Sequence, residues 1–312
     1  MNNDTPVCYG AGLVALDILF RSDNPRDIRS YVGGSCGNIM MILSYLGWSS
    51  FPIARLQQDK NATRIVRDFI LNNVNIDFIS IDLSGSTPII IQRNLVDRLG
   101  NPKHRFEVVH PITGEYLPRY KSITKKGAEH IIQESKVIPD YFYFDRVSPG
   151  ILMLVDYYKA NGSIIVFEPS SRNNKDFDKA LKLADILKFS DQRISDFKDA
   201  YPNSISSIEI ETKGSNGLAY RCKNLGNKWT LLPPPSLVTD RKIIDTSGAG
   251  DWTTAGIIYK LNALKGAELE AIGRNDLEMV LNFGQELGAK ACLYEGARGL
   301  MSETKEVILK DL

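Results

Sequence analysis

The sequence predicts an α/β fold on a largely parallel sheet, and three observations carry that reading. Short apolar runs bounded by turn residues alternate with segments of helical spacing, the pattern of successive βαβ units. A strand-like KIID, residues 242–245, runs into a turn of small residues and then a helical stretch. With 312 residues, 43% hydrophobic and 24% charged, the chain can bury a substantial core.

The elements follow in order. VCYGAGLVALDILF, residues 7–20, reads as a strand, and NIMMILSYLG places Ile39, Ile42, Leu43 and Leu46 on one helical face, with Gly47 suited to end the helix. FPIARL is followed by a charged helix from about Asn61 to Val74. The middle differs: FISIDLSGSTPIIIQRNLV and RLGNPKHRFEVVHPITGEYLPRY combine strand-like runs with Gly, Pro and polar residues, as in a small β subdomain or flap. Alternation resumes at YFYFDRVSPG. ILMLVDYYKANG is helical, SIIVFEPSS a buried strand, DFDKALKLADI a helix and IEIETKGSNG a strand and turn. PPPSLVTDRKIIDTSGAG then leads in extended form to a mostly helical region over residues 251–290, with no internal repeat or low-complexity tract on the way.

Composition narrows the function classes. Lys plus Arg number 38 against 37 Asp plus Glu, so the overall balance gives no reason to expect DNA or an acidic membrane as partner. Cys8, Cys36, Cys222 and Cys292 are widely scattered, with neither zinc-ligand spacing nor the look of a disulfide framework. No secretory leader and no run of ~20 apolar residues is visible, and a soluble cytoplasmic protein is the expectation.

The chemistry concentrates in DTSGAGDWTTAG, residues 245–256. Glycines at 248 and 250 let an anion approach the main chain, and free N–H groups at the start of a helix face it. A carboxylate in the same turn makes sense if the anion is transferred: Asp251 accepts the proton of an attacking hydroxyl while the N–H groups stabilise the migrating phosphoryl group. An ordinary Asp, with pKa of about 4, is a weak base for an alcohol, but a loose phosphoryl-transfer transition state asks little of the base until bonding to phosphorus begins. A bare G-A-G-D is equally what a plain helix N-cap after a glycine turn looks like.

The longer string D-T-S-G-A-G-D-x-x-x-A-G resembles the C-terminal signature of the ribokinase-like (PfkB) family of sugar and nucleoside kinases. The resemblance implies Asp251 as catalytic base, the backbone of Gly248, Ala249 and Gly250 as anion hole, and Asp245 as an accessory residue near phosphate or metal. YVGGSCGNIMMILSYLG resembles the family's N-terminal G-G-x-x-x-N segment, with Gly33, Gly34 and Asn38 matching its sugar contacts. Asp17 falls where the first strand of these kinases carries a hydroxyl-binding Asp. FEPSSR resembles the D-P-x-x-R stretch of fructokinase-like members, with Glu168 for Asp and Arg172 able to pair with phosphate by a forked contact. ETKGSNG resembles the turn along the nucleotide, through Thr212, Gly214 and Gly217, and NFGQELGAKACLYEGARG the helix beside the adenine, through Asn282.

The resemblance runs from about residue 7 to 302 and is patchy between 60 and 145. Where the family has N-x-x-E to arrange Mg²⁺, this chain has Ser190 and Arg193, with Asp191 and Asp196 nearby but out of register. Cys36 replaces a smaller residue, and Asp59 lacks the glycine that often follows it. Three decoys are set aside. GAGLVA continues as a strand rather than opening a dinucleotide-binding helix; His104 and His110 lack a third metal ligand; and Trp252 suits core packing.

The resemblance as a whole implies a single kinase domain over 1–312, a three-layer α/β/α ribokinase-like fold with a β lid from about 15–32 and 84–120. ATP and Mg²⁺ are its expected cofactors. A sugar or sugar-like alcohol is the expected acceptor, with a lean to fructokinase-like members. A nucleoside kinase on the same scaffold, or a non-catalytic sugar- or nucleotide-binding relative, is the alternative. Family membership also implies frequent lid-mediated homodimers.

Overall fold

The computed structural model describes residues 5–20, 28–96, 102–107, 109–110, 113–236, 241–264 and 269–309, with the side chains of 94–96 and 102–104 outside that description. Parts of the expected lid, residues 21–27, 97–101, 108 and 111–112, lie outside the described residues.

The chain opens with β1 (Val7–Ala11), β2 (Ala15–Phe20), β3 (Ile28–Gly33), α1 (Ser35–Tyr45), β4 (Ser49–Gln57), α2 (Lys60–Leu71) and β5 (Ile79–Asp82). Next come β6 (Ile89–Val96), β7 (Pro102–Glu107), α3 (Lys125–Glu134), β8 (Tyr141–Phe144), α4 (Pro149–Ala160), β9 (Ile164–Phe167), α5 (Phe177–Leu183) and β10 (Ile186–Ser190). The last part holds α6 (Phe197–Ala200), β11 (Ile208–Thr212), β12 (Leu218–Cys222), β13 (Thr230–Leu232), α7 (Ala249–Ala263), α8 (Arg274–Ala291) and α9 (Lys305–Leu309).

Among the described residues the strands form two sheets. The larger runs β13-β12-β11-β10-β9-β8-β1-β4-β5. It is parallel from β11 to β5, with β12 and β13 added antiparallel at one edge. The smaller runs β3-β2-β6-β7, with β2 and β6 parallel and the outer pairs antiparallel.

Helices cover both faces of the larger sheet, making the three layers. In β8 the tyrosines 141 and 143 pack into one core, with α1, α2, α7 and α8, while phenylalanines 142 and 144 pack into the other, with α3, α4, α5 and α6. Burying each such ring is worth about 1.5–3 kcal/mol, and because side chains alternate faces, a one-residue slip would misplace all four at once. The register is therefore strongly fixed.

Three expectations need correction. Residues 7–20 are two strands in different sheets. The break falls at Gly12–Val14, where Leu13 N–H donates to Asp145 Oδ1 at 2.9 Å and Leu13 C=O accepts from Gly37 N–H at 3.2 Å, so that backbone leaves the ladder. KIID is not a strand: Ile244 N–H donates to Cys292 C=O at 2.8 Å, and Ile243 and Ile244 are exposed. Helix α1 buries every residue from Cys36 to Leu43 rather than one face, because it lies between the sheet and α7. Among the described residues no helix is long and apolar enough to cross a membrane.

Candidate active site

Helix α7 begins at the small-residue turn, and its start is set by space. Gly248, the N-cap, has a left-handed backbone at φ 76°, and a Cβ there would stand 2.6 Å from the Cα and carbonyl oxygen of Ala297. Only glycine meets both demands. The first-turn N–H groups of a helix have no acceptor inside it and present positive partial charge. Of these, Ala249 N–H makes a long 3.4 Å contact back to Thr246 C=O.

Asp251 sits one step inside that turn. Asn38 Nδ2, from the first turn of α1, donates to Asp251 Oδ2 at 2.7 Å. Burial, reinforced by the negative charge of Glu168, raises the Asp251 carboxyl to about 7, against the lowering effects of Asn38, Lys188 and Arg193. A carboxylate so placed is a better proton acceptor near neutrality than an ordinary aspartate.

Glu168 belongs to a buried cluster beside the turn. Lys188 Nζ lies 2.5 Å from Glu168 Oε1, and Thr254 Oγ1 donates to Glu168 Oε2 at 2.6 Å. A Cβ on Gly250 would come within 3.7 Å of the Lys188 ammonium. Lys188, which composition alone did not single out, thus brings a buried cation to the anion turn.

Asp17 on β2 is buried under Gly33, whose missing side chain is what makes room: a Cβ there would lie 1.9 Å from the carboxyl carbon. Burial raises Asp17 to about 7, opposed by Arg298 and by the N–H of Gly34. Among the described residues its Oδ1 has no hydrogen-bond partner. Asn38 Oδ1 is likewise buried without one, so both are acceptors with capacity for donor hydroxyls.

Asp145 joins them from the end of β8, and the sequence motifs did not name it. It is buried, it receives the Leu13 N–H, and Arg146 Nη1 lies 3.3 Å from its Oδ2. Burial raises its carboxyl, with the Arg146 charge opposing. Burial raises the Tyr143 hydroxyl well above its ordinary value, and the charges of Glu168, Asp145 and Asp251 add to that rise. The missed signal was a charge directly after a buried strand, at the carboxyl end of a parallel sheet where ligands bind.

The other expected residues are distributed around this centre. Asp245 is buried and used inside the protein: Gln92 Nε2, Ser247 N–H and Gly296 N–H each donate to its carboxylate at 2.9 Å. It shapes the turn and fastens it to β6. Arg172 is exposed and paired with Asp196, on a cleft lined by residues 171–173 and 193–196. Thr212 ends β11 with its hydroxyl on Phe189 C=O, and Gly214 and Gly217, both at positive φ, turn the chain into β12. Asn282 lines a groove on α8 with Lys260 and Met279. His110 Nδ1 accepts from Thr113 N–H, while the His104 side chain lies outside the described residues. Trp252 is fully buried, its indole N–H on Ala297 C=O, and packs the core as expected.

Among the described residues no group of three or more His, Cys, Asp or Glu is arranged to hold a metal ion. Hard carboxylate oxygens beside an anion turn do suit a magnesium ion that keeps its waters and takes phosphate oxygens as its main ligands.

Residues 139–305 match the family described as pfkB family carbohydrate kinase. Among solved structures, a fructokinase with bound ATP from Xylella fastidiosa superposes with TM-score 0.72 at 17% identity, covering 98% of this chain and 97% of that one. An uncharacterized sugar kinase from Pyrococcus horikoshii gives 0.71 at 18%, covering 99% and 97%. A nucleoside kinase from Burkholderia thailandensis in complex with inosine gives 0.69 at 14%, covering 98% and 96%. No curated protein sequence matches.

Proposed function

The chain belongs to the pfkB family of carbohydrate kinases, phosphotransferases with an alcohol group as acceptor, and from that premise we propose the roles of its residues. The reaction is transfer of the γ-phosphate of ATP to a hydroxyl of a sugar or sugar-like alcohol. One observation carries the reading: Asp251, held by Asn38 Nδ2 at 2.7 Å, stands in the first turn of α7, where the free N–H groups suit an anion.

The acceptor hydroxyl is aligned by Asp17, Asn38 and Asp145, whose buried oxygens accept its neighbouring hydroxyls. Its oxygen bonds to the γ-phosphorus as the bond from that phosphorus to the bridging oxygen breaks; its proton passes to Asp251, and ADP leaves. The N–H groups of Gly248, Ala249 and Gly250 receive the charge of the migrating group. Asp251 and Glu168 are the carboxylates that would help hold Mg²⁺, which would supply charge neutralisation to the nucleotide phosphates. Thr212, Gly214, Gly217 and Asn282 line the nucleotide side, and the β3-β2-β6-β7 sheet closes over the sugar and excludes water. Gln92 of that sheet, bonded to Asp245, ties it to the turn.

The E-P-S-S-R stretch favours a fructokinase-like acceptor. Nucleotide consumption against a panel of hexoses, pentoses and nucleosides with Mg²⁺ tests this. Turnover with a ketohexose supports it, preferred turnover with a nucleoside makes the chain a nucleoside kinase, and nucleotide binding with no turnover on any acceptor makes it a non-catalytic relative.

A further inference from the structure

We propose that Arg193 binds the terminal phosphates of the nucleotide donor directly, so that the chain itself supplies positive charge that phosphoryl transfer otherwise draws from a divalent metal. The inference rests on the kinase reading above and concerns its donor side.

Three cations lie around the turn and its neighbouring cleft. Lys188 is buried against Glu168 beside Gly250. Arg193 and Arg172 stand on the two walls of the cleft formed by residues 193–196 and 171–173. The placement of Arg193 is fixed by a tight turn after β10: its N–H and that of Ile194 both donate to Ser190 C=O at 3.0 Å, and Gln192 N–H donates to Ser190 Oγ at 3.2 Å. Asp191 N–H, in the same turn, donates to Thr212 C=O at 3.1 Å, which holds the turn beside the residues assigned to the nucleotide; the Arg193 charge also favours the ionised forms of Asp251 and Asp145, against the burial that raises both.

The chemistry of the residue decides what it can do there. A carboxylate at this position meets phosphate only through an intervening cation. A guanidinium needs no intermediary: it presents a planar fork of N–H donors that matches two phosphate oxygens and stays charged at every working pH. Because Arg193 is exposed, it gives up little hydration before the nucleotide arrives. Arg172, tied to Asp196 across the same cleft, adds charge at the outer end. The bonds made and broken are those of the transfer already described; Arg193 takes no proton and only holds the transferring and leaving phosphates.

Calorimetric titration of ATP and AMP, each in EDTA and in Mg²⁺, into the wild type, Arg193→Gln and Arg193→Glu tests the assignment. AMP lacks the β- and γ-phosphates and so reports on damage unrelated to them. In EDTA, Arg193→Gln should lose roughly tenfold or more in ATP affinity with AMP unchanged, the size expected for a charge-assisted forked contact. Arg193→Glu should lose more in EDTA, and Mg²⁺ should restore most of it. An unchanged ratio of ATP to AMP affinity in Arg193→Gln, or ATP binding by Arg193→Glu in EDTA as tight as the wild type, overturns the role of Arg193 and leaves the kinase reading standing. A wild type that binds neither nucleotide overturns both.

Discussion

At the floor of the site Asp17, Asp145 and Asp251 are held by backbone N–H groups, by Asn38 and by the space that Gly33 leaves, whereas at the rim Arg172 and Arg193 lie exposed and Arg172 is tied by one ion pair to Asp196. On the floor, residue identity is dictated by volume and by hydrogen bonds that few other side chains could make. On the rim it is dictated by charge alone, so a residue can reverse sign there without disturbing the packing. Acceptor chemistry and donor electrostatics are thus separately adjustable parts of one site.

The sharpest way to break this contrast is Asp251→Asn. It keeps the shape and removes the base, so kcat should fall by about 10²–10⁴ while nucleotide affinity stays within a few-fold. Near-normal turnover would remove Asp251 from the role. Next is Lys188→Met, which strands Glu168 as an uncompensated charge at 11% exposure and should cost about 3–5 kcal/mol in denaturant unfolding. A loss below 1 kcal/mol would place Lys188 with the rim.

Asp17 gives a smaller effect with a definite sign. Its folded value is raised to about 7 from 3.8, so between those values the folded chain holds a proton that the unfolded chain has released. Stability contributed by this group is therefore lost as pH rises through that window. Asp17→Asn should raise the thermal midpoint over the wild type more at pH 8 than at pH 5, while weakening sugar binding; equal gains at both pH values would contradict the burial argument. Smallest is Arg172→Ala. An ion pair between exposed side chains is screened by water and adds little to stability, so the unfolding midpoint should barely move. A larger drop would show that Arg172 is packed into the structure.

Much of this was legible in the sequence, for identifiable reasons. Alternating apolar runs announced the parallel sheet, and the glycine turn announced the helix start at Ala249. The G-G-x-x-x-N segment and G-A-G-D pointed separately to Asn38 and Asp251, and the 2.7 Å bond between them is a fact of the fold. The break at Gly12–Val14 was hidden, since its cause, the carboxylate of Asp145, lies 132 residues away along the chain. The exposure of Ile243 and Ile244 was hidden for a related reason: apolar composition cannot reveal that the backbone partner is the end of α8 and not another strand. Asp245 looked like a ligand because it stands in the motif, and only geometry shows its oxygens meeting Gln92, Ser247 and Gly296.

The alternation of β8 reaches further than its own packing. Tyr141, Tyr143 and Asp145 share one parity, and so do Val166 with Glu168 and Ile186 with Lys188, the apolar members all lying in the core shared with α1 and α7. Three neighbouring strands, β8 and β9 just past their ends and β10 at its middle, thus hand a charged side chain to the same side of the sheet. Inserting or deleting one residue in any of these strands would deliver its charge to the opposite layer, emptying the site while leaving the composition essentially unchanged.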